Sequence, residues 1–95
     1  MAGYSLSQLA EEDIRRLYRH GIETFGLDQA DAYFGGLFAR FDNIAASPAM
    51  YPRVDHIRYG YRRSVYRAHS IYYRKAEDGV AIMRVLGRED RSVLG

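Results

Sequence analysis

The chain has 95 residues, no cysteine, 47% hydrophobic residues and a formal net charge of +2. That length fits one domain, 1–95, with enough apolar residues for a single core, and the missing cysteines exclude disulfides, thiolate catalysis and cysteine-based zinc sites. No run approaches the ~20 apolar residues that span a bilayer and Met1-Ala2-Gly3-Tyr4 lacks leader character, so a cytoplasmic protein with no membrane association is expected.

Taken in chain order, Tyr4-Ser5-Leu6-Ser7 alternates apolar and polar and predicts a short first strand. Ser7 is placed to cap a helix whose first turns carry Glu11, Glu12 and Asp13, where the dipole favours acids. Ile14, Leu17, Tyr18, Ile22 and Phe25 form its apolar stripe, and Gly26 ends it. Asp28 is read as the cap of a second helix striped by Ala30, Tyr33, Phe34, Leu37, Phe38, Phe41, Ile44 and Ala45. The junction at Gly26-Leu27 is short enough to demand an antiparallel helical hairpin. Gly35-Gly36 inside the second helix costs roughly 1 kcal/mol per glycine relative to alanine, and predicts close approach of a neighbouring element or a kink. Ser47-Pro48 ends the helix and Pro52 keeps the next segment irregular. Ile57 to Tyr66 reads as strand with a break near Gly60, His69 to Ala76 as a second strand, and Val80 to Leu86 as a third, central one. Asp78-Gly79 is the hairpin turn between the last two. The expected class is α+β in the order β-α-α-β-β-β: an N-terminal strand, then an antiparallel helical hairpin packed on one face of a mainly antiparallel sheet.

Charge is unevenly spread. Residues 1–47 carry four arginines against seven acids, net −3, and residues 48–95 carry ten basic groups against five acids, net +5. Thirteen of the fourteen basic residues are arginine, whose planar fork suits carboxylate and phosphate. Arg53, Arg58, Arg62, Arg63, Arg67, Arg74 and Lys75 interleave with Tyr59, Tyr61, Tyr66, Tyr72 and Tyr73. Such a pattern fits an anionic partner, either nucleic acid or an acidic peptide; the plain alternative is a solvated sheet of tyrosine strand formers.

Several ordered segments together resemble one family. Tyr4-x-Leu6-Ser7-x-x-Ala10-x-x-Asp13-Ile14, Phe25-Gly26-Leu27-x-Gln29-Ala30-x-x-Tyr33, Ile57-Arg58-x-Gly60-Tyr61-Arg62, His69-Ser70-Ile71-Tyr72-Tyr73-Arg74 and Ile82-Met83-Arg84-Val85-Leu86-Gly87-Arg88-Glu89-Asp90 look like ParE toxins. These belong to the RelE/ParE superfamily of bacterial type II toxin–antitoxin modules. The resemblance covers nearly the whole chain. It implies the same fold, a toxin held inactive by a ParD-like antitoxin with an acidic C-terminal segment, DNA gyrase as target, and operator DNA reached only through the antitoxin. The RelE branch, which cleaves mRNA on the ribosome, is the rival implication, and a detoxified co-repressor is a third.

The residues argue against an enzyme. RelE-like nucleases resemble one another in a functional tyrosine or histidine in the tail, and Arg88 to Gly95 contains neither. His20, His56 and His69 form no i, i+4 pair, so no metal and no cofactor are expected; His20 suits the helix dipole and His69 reads as a satisfied sheet histidine. No catalytic residue is assigned. The expected antitoxin-binding residues are the hairpin aromatics Tyr18, Phe25, Tyr33 and Phe34, taken as an outward edge, with Arg58, Arg62, Arg63, Arg67 and Arg74. Target contact is expected from Arg84, Arg88, Asp90 and Arg91. Arg84 is read as leaving an exposed face of the last strand, or pairing with Asp55, Glu89 or Asp90.

Overall fold

The computed structural model describes residues 3–87. Strand β1 (Gly3–Leu6) leads into helix α1 (Gln8–Phe25), and helix α2 (Leu27–Ala46) follows after a single residue. A 3-10 turn (Pro48–Met50) and an irregular loop precede strands β2 (Tyr61–Tyr66), β3 (His69–Ala76) and β4 (Gly79–Gly87). The four strands lie in the order β1-β4-β3-β2. β2–β3 and β3–β4 are antiparallel, while β1 runs parallel to β4 with Gly3 opposite Gly79. The most apolar strand is therefore interior, as its composition predicts, and the class is the expected α+β.

Ser7 begins α1 as its spacing predicts. Its hydroxyl accepts from Ala10 N–H at 3.0 Å and donates to the Met83 carbonyl at 2.8 Å, so one side chain caps the helix and fastens it to β4. Gly26 ends α1 through its N–H to the Ile22 carbonyl, and its own carbonyl receives Ala30 N–H. The second helix thus starts at Leu27 with Gly26 in the cap position and no side-chain cap. Asp28, read as the cap, instead sits in the first turn, where a carboxylate still meets the positive end of the dipole.

The helices cover one face of the sheet. Ala10, Phe34, Leu37, Phe41, Ile44 and Ala45 from the hairpin meet Ile71, Tyr73, Val80, Ile82 and Val85 from the strands. Each fully buried Leu, Ile or Phe here contributes about 1.5–3 kcal/mol. Ile82 and Val85 share this face despite their odd spacing because the ladder to β3 shifts between Tyr72 and Tyr73, leaving Met83 as an extra residue in β4.

The opposite face carries a smaller cluster of Val54, Tyr72 and Leu86, with Ile57 and Tyr61 against it. This accounts for the one element that differs from its expected extent. β2 begins at Tyr61, not Ile57, because residues 54–60 fold into turns: Ile57 N–H and Arg58 N–H both bond to the Val54 carbonyl, and Val54 N–H returns to Tyr61. Burying Val54 and Ile57 on Tyr72 and Leu86 outweighs continued strand pairing.

The two inner glycines of α2 have different reasons. The helix runs through both without a break. A Cβ at Gly36 would collide with the Tyr66 hydroxyl, whereas one at Gly35 would meet open space. Gly79 has φ 143° and a Cβ there would strike the Gly3 backbone, so glycine lets β1 close on the start of β4.

Candidate partner-binding site

The Asp13 carboxylate is 1% exposed. Arg84 grips it with both arms, Nε to Oδ2 at 2.8 Å and Nη2 to Oδ1 at 2.9 Å. Val85 N–H adds a third bond at 3.0 Å and Arg16 lies at 3.5 Å. The bulge at Met83 allows this, since it turns Val85 N–H towards the helix. Arg84 therefore does not leave an exposed face, nor does it pair with Asp55: its side chain is 14% exposed and ties β4 to α1. The expected target residues Arg88, Asp90 and Arg91 lie outside the described residues.

The hairpin aromatics divide between two grooves. One, of about 250 Å³, opens between α1, α2 and the β2–β3 turn, with Leu17, Phe25, Ala30, Tyr33 and Phe34 as its apolar lining and His20 and His69 as polar neighbours. The other, of about 330 Å³, runs along the outer seam of the hairpin past Ile14, Tyr18, Phe34 and Phe38. Phe25 is exposed, Tyr18 and Tyr33 are half-buried, and Phe34 is buried. The picture of four outward aromatics is thus corrected at Phe34, whose ring forms the floor of both grooves because it packs edge-on against Tyr18 at 5.4 Å and tilts against Tyr33 at 5.5 Å.

The polar groups at these grooves are fixed. The Tyr33 hydroxyl bonds to His69 Nδ1 at 2.5 Å, and burial pushes the Tyr33 phenol above its usual range. Tyr18 donates to Asp31 at 2.5 Å, which raises the phenol in turn. Tyr66 donates to the Tyr33 carbonyl at 3.3 Å.

The arginines do not form one patch. Strand alternation sends Arg62 to the helix side with its neighbour Tyr73, and Arg63 to the other side with Tyr72. Arg74 is exposed and follows Tyr72. Much of the arginine–tyrosine interleaving is internal: Arg58 stacks over Tyr61 at 5.8 Å and Arg67 over Tyr66 at 5.7 Å, and Arg62 donates to the Tyr51 carbonyl at 2.7 Å. Arg67, at φ 53° in the β2–β3 turn, stands beside the 250 Å³ groove, whose rim includes Ala68 and His69.

Arg40 carries structural weight that periodicity does not reveal. Its guanidinium donates to Ser64 Oγ and the Val65 carbonyl, both at 2.9 Å, and lies over Tyr66 at 5.5 Å. It thereby braces α2 on the outer strand. Leu17, His20, Ala30, Ala68 and His69 also belong to the groove, and only their convergence in space identifies them. Among the described residues no cluster of three His, Asp or Glu could hold a metal ion, and no helix is long and apolar enough to cross a membrane.

Comparison with known proteins agrees with the arrangement. The family model described as ParE toxin of type II toxin–antitoxin system, parDE, matches residues 4–91. Toxin ParE1 of Caulobacter vibrioides is 34% identical over 86 residues, covering 90% of this chain and 88% of the relative. Toxin ParE1 of Mycobacterium tuberculosis (strain ATCC 25618 / H37Rv) is 32% identical over 84 residues, covering 87% and 86%. The solved structure titled "Chromosomal ParDE TA system from P. aeruginosa" superposes with a TM-score of 0.79 at 15% identity, over 92% of this chain and 96% of that one. With its strand order, helical hairpin and near full-length sequence match, the chain belongs to the ParE toxin family of type II toxin–antitoxin systems.

Proposed function

We propose that this ParE-family chain is neutralised by a ParD-like antitoxin whose acidic C-terminal segment lies across the hairpin grooves, and that it acts without catalysis, by protein–protein contact with DNA gyrase. The observation that carries the antitoxin reading is the apolar groove walled by Phe25 and Tyr33 and floored by Phe34, with Ala68 in its lining and Arg67 next to it in the chain. Phe25 is 62% exposed and Leu27 54% exposed, and clustered apolar exposure of that kind suits a surface that a partner covers. An antitoxin helix or strand would seat apolar side chains against Phe25 and Tyr33, while its acids meet Arg67 and, on the far face, Arg58, Arg63 and Arg74.

The gyrase target follows from the family resemblance. Non-enzymatic action is supported by a tail, Arg88 to Gly95, with neither tyrosine nor histidine. Inducing the chain in cells tests both statements. Filamentation with an SOS response is expected; translation arrest with cleaved mRNA would replace gyrase contact by nuclease action, and unaltered growth would leave a module without toxicity. Deleting the chain after Gly87 is expected to abolish filamentation while circular dichroism shows the fold intact, because Arg88, Asp90 and Arg91 are the proposed target contacts.

A further inference from the structure

A third concavity, of about 210 Å³, lies away from the hairpin grooves, where the Pro48–Met50 turn, the loop ending at Gly60, β2 and β3 meet. Among the described residues its charged lining is Arg53, Arg62 and Lys75, with no acid. Strand geometry brings these cations together. Arg62 is opposite Tyr73, and Lys75 is two residues beyond Tyr73, so the three side chains leave the same face of the sheet.

The groups around the pocket are already committed in a way that leaves donors for a ligand. Arg62 is steadied by one terminal nitrogen on the Tyr51 carbonyl at 2.7 Å. Arg53 uses Nε and Nη2 on Asp55 at 2.8 and 3.2 Å, and its guanidinium lies over the Tyr59 ring at 5.9 Å. Asp55 is in turn occupied by that fork and by Gly60 N–H at 2.8 Å, so Arg53 and Asp55 offset each other. Lys75 has no side-chain partner among the described residues. The Tyr73 hydroxyl is held to the Pro48 carbonyl at 2.5 Å, and as a phenol it adds no charge at neutral pH. Arg62 and Lys75 thus leave an excess of two positive charges, and like charges gathered on one sheet face repel unless an anion joins them.

We propose that Arg53, Arg62 and Lys75 form a binding site for a phosphate group. Three cations from separate elements, the loop, β2 and β3, line one concavity, and a dianion balances the two-charge excess; a tetrahedral oxyanion offers oxygens to all three, whereas a carboxylate offers only two in one plane. The site does not depend on the toxin reading and lies apart from the hairpin grooves, but it takes Arg62, an antitoxin contact expected from the sequence, for a different ligand. Two sources share this chemistry, a free phosphate compound and the backbone of a nucleic acid.

The test is a titration of the 15N-labelled full chain at constant ionic strength, reading amide shifts, first with inorganic phosphate and then with a short single-stranded oligodeoxynucleotide. Saturable shifts confined to Gly60, Arg62 and Lys75 are expected. Lys75→Gln, at an exposed position, and Arg62→Gln should each weaken binding about tenfold without altering the thermal midpoint of Lys75→Gln. Saturation with phosphate alone identifies a small phosphate ligand; saturation of the same amides only by the oligonucleotide assigns the phosphate to nucleic acid. Unsaturating shifts spread over all the arginines, or binding insensitive to both substitutions, would overturn the proposal. A glutamate-rich peptide that binds these amides more tightly than either probe would also overturn it.

Discussion

Removing the Arg84 guanidinium would leave the buried Asp13 carboxylate with Val85 N–H and Arg16 as its remaining partners among the described residues. Breaking one side of a buried, forked pair typically costs about 3–5 kcal/mol, a large share of the ~5–15 kcal/mol that holds a small domain together. Arg84→Ala should therefore lower the urea midpoint by far more than Arg74→Ala, whose side chain is exposed; equal midpoints would mean that the pair contributes nothing net. Sequence could not show this bond. Asp13 fits the first turns of a helix as well as any acid, and its partner stands 71 positions away. The register shift that aims Val85 N–H at it leaves no mark on the alternation of β4. Tyr73 gives a second expectation. A phenol whose folded value, about 12, lies above its unfolded value near 10 stabilises the fold below about pH 10. That contribution is lost as pH rises from about 10 towards 12. Denaturant midpoints measured across this range should fall, and fall less in Tyr73→Phe, which has no proton to lose.

Elements were the most legible level. Capping at Ser7, the stripe from Ala30 to Ala45 and the Asp78-Gly79 turn each state a local rule that nothing in the tertiary structure opposes, so their helices and strands form where periodicity places them. The exception is the stretch before β2. Val54 and Ile57 read equally as strand residues or as a folded loop, and the choice depends on the Tyr72–Leu86 surface that receives them. Adjacent glycines in α2 separate propensity from packing. Gly35→Ala should stabilise the protein by about 0.5–1 kcal/mol, since alanine is the better helix former and its Cβ enters open space. Gly36→Ala should do the opposite, because the Tyr66 ring must move and its bond to the Tyr33 carbonyl goes with it. Thermal unfolding of the two variants side by side decides it, and stabilisation by both would refute the close approach.

For the whole molecule, the contrast between an acidic first half and a basic second half becomes a contrast between elements: the helices carry most of the acids, and the loop, β2 and β3 carry the cations. The aromatic part of the candidate site was legible as an apolar stripe, but a stripe cannot say which rings are floor and which are wall. The cationic part was less so, since alternation along β2 splits neighbours Arg62 and Arg63 between faces. Antitoxin binding should accordingly depend on groove and rim more than on total charge. In calorimetry with the cognate partner, Phe25→Ala is expected to weaken binding by about tenfold to a hundredfold. Arg67→Glu, in the turn beside the groove, should also weaken it and reduce its salt sensitivity. Unchanged affinity in both would remove the hairpin from the interface.

The parallel pairing of β1 with β4 also has a consequence for synthesis. Gly3 waits for Gly79, and at typical elongation rates of roughly 5–20 residues per second that interval is on the order of 4–15 s. Until then the nascent chain has its helical hairpin, β2 and β3 but lacks β4, which brings Val80, Ile82 and Val85 to the hairpin core, and contacts this distant in sequence also close slowly. The groove lining comes mostly from the first half of the chain, with Ala68 and His69 from the second, while β4 is made last. A ribosome halted before Gly79 would therefore hold the hairpin and the β2–β3 turn that line the groove, without the β4 core residues Val80, Ile82 and Val85.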